Sequence, residues 1–276
     1  MSPALKHLDQ YVNLHQYPVH DLDSDSGHKL LATCHEMMRK DTLCALPDFL
    51  STEAIKALTD EVTALENTAR KIDFLATPYG WMQNSGFPAT HPRSQMFHRR
   101  CSAITTEQLD HNGLCMTLFR FDEITEFVRR LLGYETLYRS ACPNISVRVN
   151  MMDAGDEFGW HYDTNDGVVS FAIQNADEGG VFEYAPLIRS EEDENYDAVA
   201  GIFNARIKPL QAHTPPGTFV LFMGRRSLHR VSPVIATSQC RHSLLFSYDR
   251  KPGMVFPENI RKRLTEPTNQ PFHGLA

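Results

Sequence analysis

The sequence predicts an α+β protein: a double-stranded β-helix (jelly roll) with N-terminal helices packed on its outside. Helical periodicity dominates the first half of the chain. From residue 144 onward, short apolar or alternating runs recur between turns at Gly179-Gly180, Pro215-Pro216-Gly217 and Gly224. Strands spaced in this way build sandwiches and barrels. A helical half running into a strand-rich half without a linker makes one domain, two kinds of layer around one core.

Residues 1–27 are polar and rich in Asp, Ser and His, and read as a leader, loosely ordered at its end. The remaining 28–276 read as a single domain, helical over about 28–140 and jelly-roll over about 141–250. Helices are expected near 28–40 and 52–71; the second opens after Ser51 as N-cap, with Ile55, Leu58, Val62 and Leu65 on its apolar face. Residues 75–103 read as irregular and aromatic, punctuated by Pro78, Gly80, Trp81, Pro88 and Pro92. A third helix, about 121–132, opens at Asp122 and closes at Gly133.

Strands are expected at 144–151, 167–174, 181–185, 217–223, 227–232 and 241–248. In the first, every even position is polar and every odd one apolar, which is the period of a strand. Its polar face (Ser146, Arg148, Asn150) meets either water or a barrel interior. Arg241, Ser243 and Ser247 share one face of the last strand. The segment 190–203 is acidic and helical in pattern, either a cover for the barrel mouth or a solvated surface helix.

Hydrophobic content of 42%, charge of 22% and a net charge of -7 describe an ordinary globular protein and argue against nucleic acid as a partner. Arg99-Arg100, Arg225-Arg226 and Arg261-Lys262-Arg263 are too short to outweigh that balance. The six cysteines form no Cys-x-x-Cys pair, so free thiols in a reducing compartment are expected. No signal-peptide layout and no run of 18 apolar residues occurs, which makes a cytoplasmic protein without membrane partners the expectation.

His161-Tyr162-Asp163, His229 and Arg241-His242-Ser243 carry the chemistry. A second His-x-Asp, His7-Leu8-Asp9, has no partner histidine at a sensible distance. Two imidazoles and a carboxylate on one face of an octahedron suit Fe(II) and leave three positions open. A 2-oxo acid fills two of them and O2 the third. The far carboxylate of the 2-oxo acid needs a planar, permanently charged fork, which Arg supplies and Lys does not. Arg241 follows His229 by twelve residues, room for one strand and a turn, and Ser243 on its face adds a hydroxyl. Arg148 and Asn150 would stand beside iron and 2-oxoglutarate if their strand faces inward.

Three phrases resemble a known family: Gly155-Asp156-Glu157-Phe158-Gly159-Trp160-His161-Tyr162-Asp163, Gly179-Gly180-Val181-Phe182-Glu183-Tyr184-Ala185-Pro186 and Gly224-Arg225-Arg226-Ser227-Leu228-His229-Arg230-Val231. They are similar to Fe(II)/2-oxoglutarate-dependent dioxygenases, in particular to the BesD-like free amino-acid halogenases and their hydroxylase relatives. The resemblance spans about residues 90–256. It implies that His161, Asp163 and His229 ligate iron and that Arg241 clamps 2-oxoglutarate. It also implies hydroxylation of an unactivated C–H with release of succinate and CO2. Halogenases of this group carry a small residue where this chain has Asp163, which points to the hydroxylase branch. The substrate expected is a small molecule, a free amino acid or derivative. Arg99 or Arg100 would take its carboxylate, and Asn165, Asp166 or Asp249 its amine. Competing readings are oxidation of a carrier-bound or peptidyl amino acid, and a cupin-like metal protein with no need of 2-oxoglutarate.

Overall fold

In the computed structural model, which describes residues 5–164, 168–266 and 270–274, a curled antiparallel sheet is backed by helices. The helices are α1 (Leu5–Tyr11), α2 (Asp25–Asp41), α3 (Thr52–Leu65), α4 (Leu114–Arg120), α5 (Asp122–Leu131), α6 (Tyr196–Phe203) and α7 (Glu258–Thr265). The early strands are β1 (Leu43–Leu46), β2 (Arg70–Ala76), β3 (Phe97–Thr105) and β4 (Tyr138–Arg139). Then come β5 (Val147–Met152), β6 (Glu157–His161), β7 (Val168–Gln174), β8 (Glu178–Gly179), β9 (Phe182–Ala185) and β10 (Leu210–Ala212). The last are β11 (Phe219–Phe222), β12 (Leu228–Val231), β13 (Val234–Ala236) and β14 (Arg241–Asp249).

The main sheet runs β1-β11-β7-β14-β5-β3-β6-β12-β9-β10, with β2 added to β3 and β4 to β14; β8 and β13 pair separately. Strand β3 is the corner. Its Ser102–Thr105 end pairs with β5, while Arg99 and Arg100 pair with β6. Beyond the corner the sheet faces itself, so that Phe182 and Tyr184 of β9 pack edge-to-face with Phe222 of β11 at 5.1 and 5.5 Å between ring centroids. The result is the two-layered barrel expected of a jelly roll.

Strand alternation decides which residues meet the helices. Val147 and Val149, Val169 and Phe171, Phe219 and Leu221, and Leu244 and Phe246 are fully buried on the outer face of the first layer. They join one core with Leu58 and Val62 of α3 and Ile124, Phe127 and Val128 of α5. Ser51 caps α3, its hydroxyl accepting from the Ala54 amide at 3.0 Å, as its position before an apolar periodic run requires.

Four expectations need correction. The leader is part of the core: Leu8, Val12, Tyr17, Val19 and Leu22 are buried, and the Tyr17 hydroxyl donates to Pro47 O at 2.6 Å. Sparse apolar residues hid this, because each packs singly rather than in a periodic run. The helix expected to reach residue 71 ends at Leu65, passes through a 3-10 turn and gives way to β2. The end of the 75–103 stretch, read as irregular, belongs to β3; its register comes from β2, β5 and β6, contacts remote in sequence. Segment 190–203 does not cover the mouth. Val199 and Ile202 of α6 pack with Trp160, Ala185 and Leu228 on the back of the second layer.

The strand expected from residue 144 starts its ladder at Val147. Ser146 bonds Thr106 Oγ1 at 3.2 Å instead of entering the barrel. Among the described residues no helix is long and apolar enough to cross a membrane.

Candidate active site

Antiparallel pairing of β6 and β12 sets His229 directly opposite His161, with ring centroids 3.9 Å apart. Each ring is fixed by the carbonyl two residues before it. His161 Nδ1 lies 3.0 Å from Gly159 O, and His229 Nδ1 lies 3.0 Å from Ser227 O. A carbonyl can only accept, so Nδ1 carries the proton and each Nε2 keeps a free lone pair. Burial, with Arg99 and His229 nearby, pushes the His161 pKa well below the ordinary histidine range, which keeps the ring neutral.

Asp163 completes the cluster. Its Oδ1 is 3.9 Å from His161 Nε2 and 3.5 Å from His229 Nε2, and one ligand atom from each residue lies within 4.8 Å of the others. The Asp163 amide donates to Gly224 O at 3.1 Å. Gly224 is a steric requirement, since a Cβ there would fall 2.0 Å from Asp163 Oδ2 and 2.9 Å from His229 Cε1. Two imidazole nitrogens and one carboxylate, all converging, fit a divalent first-row metal with free positions on its far side.

The cluster opens into a cavity of about 480 Å³. The paired register of β14 and β5 places Ser243 opposite Asn150 and Leu245 opposite Arg148, all on the cavity wall with Arg241. Arg241 Nη1 donates to Ser243 Oγ at 2.6 Å. Gly180, at φ +60, gives it room; a Cβ there would meet Arg241 Cδ at 2.9 Å. Asn150 Oδ1 is buried with no hydrogen-bond partner among the described residues. Arg99 donates to Gly159 O at 3.1 Å and lies over the Phe158 ring at 4.4 Å.

Burial lowers Arg99 to about 9 and Arg241 to about 10, and lowers Arg148 as well; the first two remain protonated at neutral pH. Among the described lining residues Asp163 is the sole carboxylate. A buried guanidinium without an acid is costly, so this wall is built for anionic ligands.

Arg100 points out of the cavity, 3.3 Å from Asp73 Oδ2 and 3.4 Å from Gly155 O. Asp249 caps the turn after β14, accepting from the Lys251 amide at 2.8 Å. Asn165 and Asp166 lie outside the described residues. Sequence reasoning missed the far wall, where Phe256, Ile260, Leu264 and Phe272 join Ile72 and Phe74 of β2. Ile260 and Leu264, four apart on one face of α7, were the available signal.

Solved structures with this architecture include the non-heme alpha ketoglutarate dependent epimerase SnoN from nogalamycin biosynthesis, at TM-score 0.56 and 13% identity over 80% of this chain and 83% of that one. AviO1 from Streptomyces viridochromogenes Tue57 superposes at TM-score 0.55 with 15% identity, over 82% and 97% of the two chains. The carbocyclase SnoK, also alpha ketoglutarate dependent and from nogalamycin biosynthesis, gives TM-score 0.53 and 14% identity over 80% and 87%. These likenesses show a shared fold. Within it, residues 26–254 match the profile of the family described as Halogenase D, and the chain belongs to that family. No curated protein matches the chain.

Proposed function

We propose that this protein is an Fe(II)- and 2-oxoglutarate-dependent oxygenase that hydroxylates a C–H bond of an apolar small molecule bearing an anionic group. The observation that carries this reading is the convergence of two imidazoles and Asp163 on a cavity that is also lined by the guanidiniums of Arg99, Arg148 and Arg241. His161, Asp163 and His229 would hold the metal. Arg241 and Ser243 would hold the far carboxylate of 2-oxoglutarate, with Asn150 beside them. Bound Fe(II), 2-oxoglutarate and O2 together supply an oxidant for an unactivated C–H, with succinate and CO2 as by-products.

Charge balance extends the assignment to substrate. A divalent metal with Asp163 and a dianionic 2-oxo acid leaves roughly one negative charge against Arg99, Arg148 and Arg241. The surplus of positive charge calls for an anionic substrate group, placed at Arg99 and Arg148. Apolar lining from Ile72, Phe74, Ile260 and Leu264 suits the rest of such a molecule and excludes water from it. The resemblance to free amino-acid enzymes favours an amino acid as the acid concerned. Its ammonium, however, finds no carboxylate but Asp163 on the described wall. A cupin-like role without 2-oxoglutarate would leave the same guanidiniums unneutralised. Asp163 fills the ligand position that halide would need, which supports hydroxylation over halogenation within this family.

The test is succinate release from apolar carboxylic acids with and without an α-amine, with and without chloride. Turnover with acids and no chlorinated product is expected. Turnover only with uncharged compounds would overturn the anionic assignment, and a chlorinated product would overturn hydroxylation.

A further inference from the structure

A second cluster of metal-ligating residues lies on the outer side of β14. Glu66 follows the end of α3, Cys240 precedes β14, and His242 projects from β14 on the side opposite Arg241 and Ser243. One ligand atom from each lies within 4.8 Å of the others. The His242 side chain is fully buried, yet among the described residues neither ring nitrogen has a hydrogen-bond partner; Nε2 comes within ion-pair distance of Glu66 Oε1, 3.3 Å, without hydrogen-bonding geometry. A buried imidazole with both nitrogens unsatisfied is costly and calls for a ligand. Cys240 is the one cysteine of the six that is not buried, and its backbone carbonyl is pinned by Gln174 Nε2 at 2.7 Å.

We infer that Glu66, Cys240 and His242 form a second metal site, for a thiophilic divalent cation of the Zn2+ kind. Thiolate, imidazole and carboxylate are three of the four ligands of a tetrahedral Zn2+ site, and the partly exposed Cys240 edge leaves the fourth position to water. The sulfur ligand separates this site in kind from the His161 cluster, whose donors are nitrogen and oxygen. The sequence showed only Cys240-x-His242; the third ligand comes from 174 residues earlier, brought alongside by the end of α3. The inference is independent of the proposed oxygenase activity.

The experiment is Zn2+ titration of chelator-stripped full-length protein against a competing indicator, with iodoacetamide labelling of Cys240 followed by mass spectrometry. To silence the first cluster, it uses the H161A/H229A variant. That variant is expected to bind about one Zn2+ per chain, and bound Zn2+ to slow Cys240 alkylation at least about tenfold. Adding Cys240→Ser should remove the binding, and His242→Gln should do the same. Cys240 is partly exposed, so its serine variant keeps the test valid if His242→Gln fails to fold. No Zn2+ bound to H161A/H229A, or equal binding after Cys240→Ser, would overturn the site.

Discussion

The outward faces of β5 and β14 carry Val147, Val149, Leu244 and Phe246, each fully buried against the helices. The inward faces of the same strands carry Arg148, Asn150, Arg241 and Ser243 around the cavity. One ladder of backbone hydrogen bonds therefore supports two opposite uses of burial. Outside, these apolar side chains pack against those of the helices, and burial stabilises the fold. Inside, guanidiniums and the orphaned Asn150 Oδ1 are held without full compensation, and the groups that would complete them are ligands. The fold stores recognition on the face where it forgoes stability.

The largest effect should come from the metal cluster. Replacing Asp163 with Gly should cut oxidation at least about 100-fold while leaving thermal stability nearly unchanged. Gly224→Ala should do the same less completely, because its methyl group would displace Asp163. Both are read by succinate release beside a melting curve. Wild-type turnover in the Asp163 variant would remove that residue from the ligand set.

Phe246→Ala, on the outer face, should show the reverse pattern. A loss of about 3–5 kcal/mol in denaturant unfolding is expected, with turnover per folded molecule preserved. Arg241→Lys should fall between the two. Losing a two-pronged, charge-assisted contact costs about 1.5–3 kcal/mol, so the 2-oxoglutarate KM should rise by roughly 10- to 100-fold without unfolding the protein. The smallest effect should also be the most diagnostic. Arg148→Met should raise stability by about 1 kcal/mol while weakening binding of an anionic substrate. A destabilised Arg148→Met protein would show that Arg148 serves the core and would erase the contrast between the two faces.

Which residues of β5 and β14 share a face was legible from alternation alone, because a period of two is local; alternation did not say which face turns inward. His161, Asp163, His229 and Arg241 stood out in the sequence by residue type, and the fold brings them to one cavity although β5 and β3 separate β14 from β6 in the sheet. What could not be read was pairing at long range. Strand β3 draws its identity from three partners, and Arg99 and Arg100, adjacent in sequence, are sent to opposite sides by the strand they belong to. Knowing that 97–105 was a strand would have separated the cavity arginine from the surface one. The leader was misjudged because Leu8, Val12 and Tyr17 bury one residue at a time. The apolar wall from α7 lay beyond the last expected strand, where no pattern called for a contribution to the site.

The most direct test of the account is anaerobic titration of the Fe(II)-loaded protein with 2-oxoglutarate, following the weak visible charge-transfer band of a chelated 2-oxo acid. The account predicts a saturable band, absent from His229→Ala and shifted to higher 2-oxoglutarate concentration in Arg241→Lys. Iron bound at the His161 cluster with no band at any concentration of 2-oxoglutarate would contradict it.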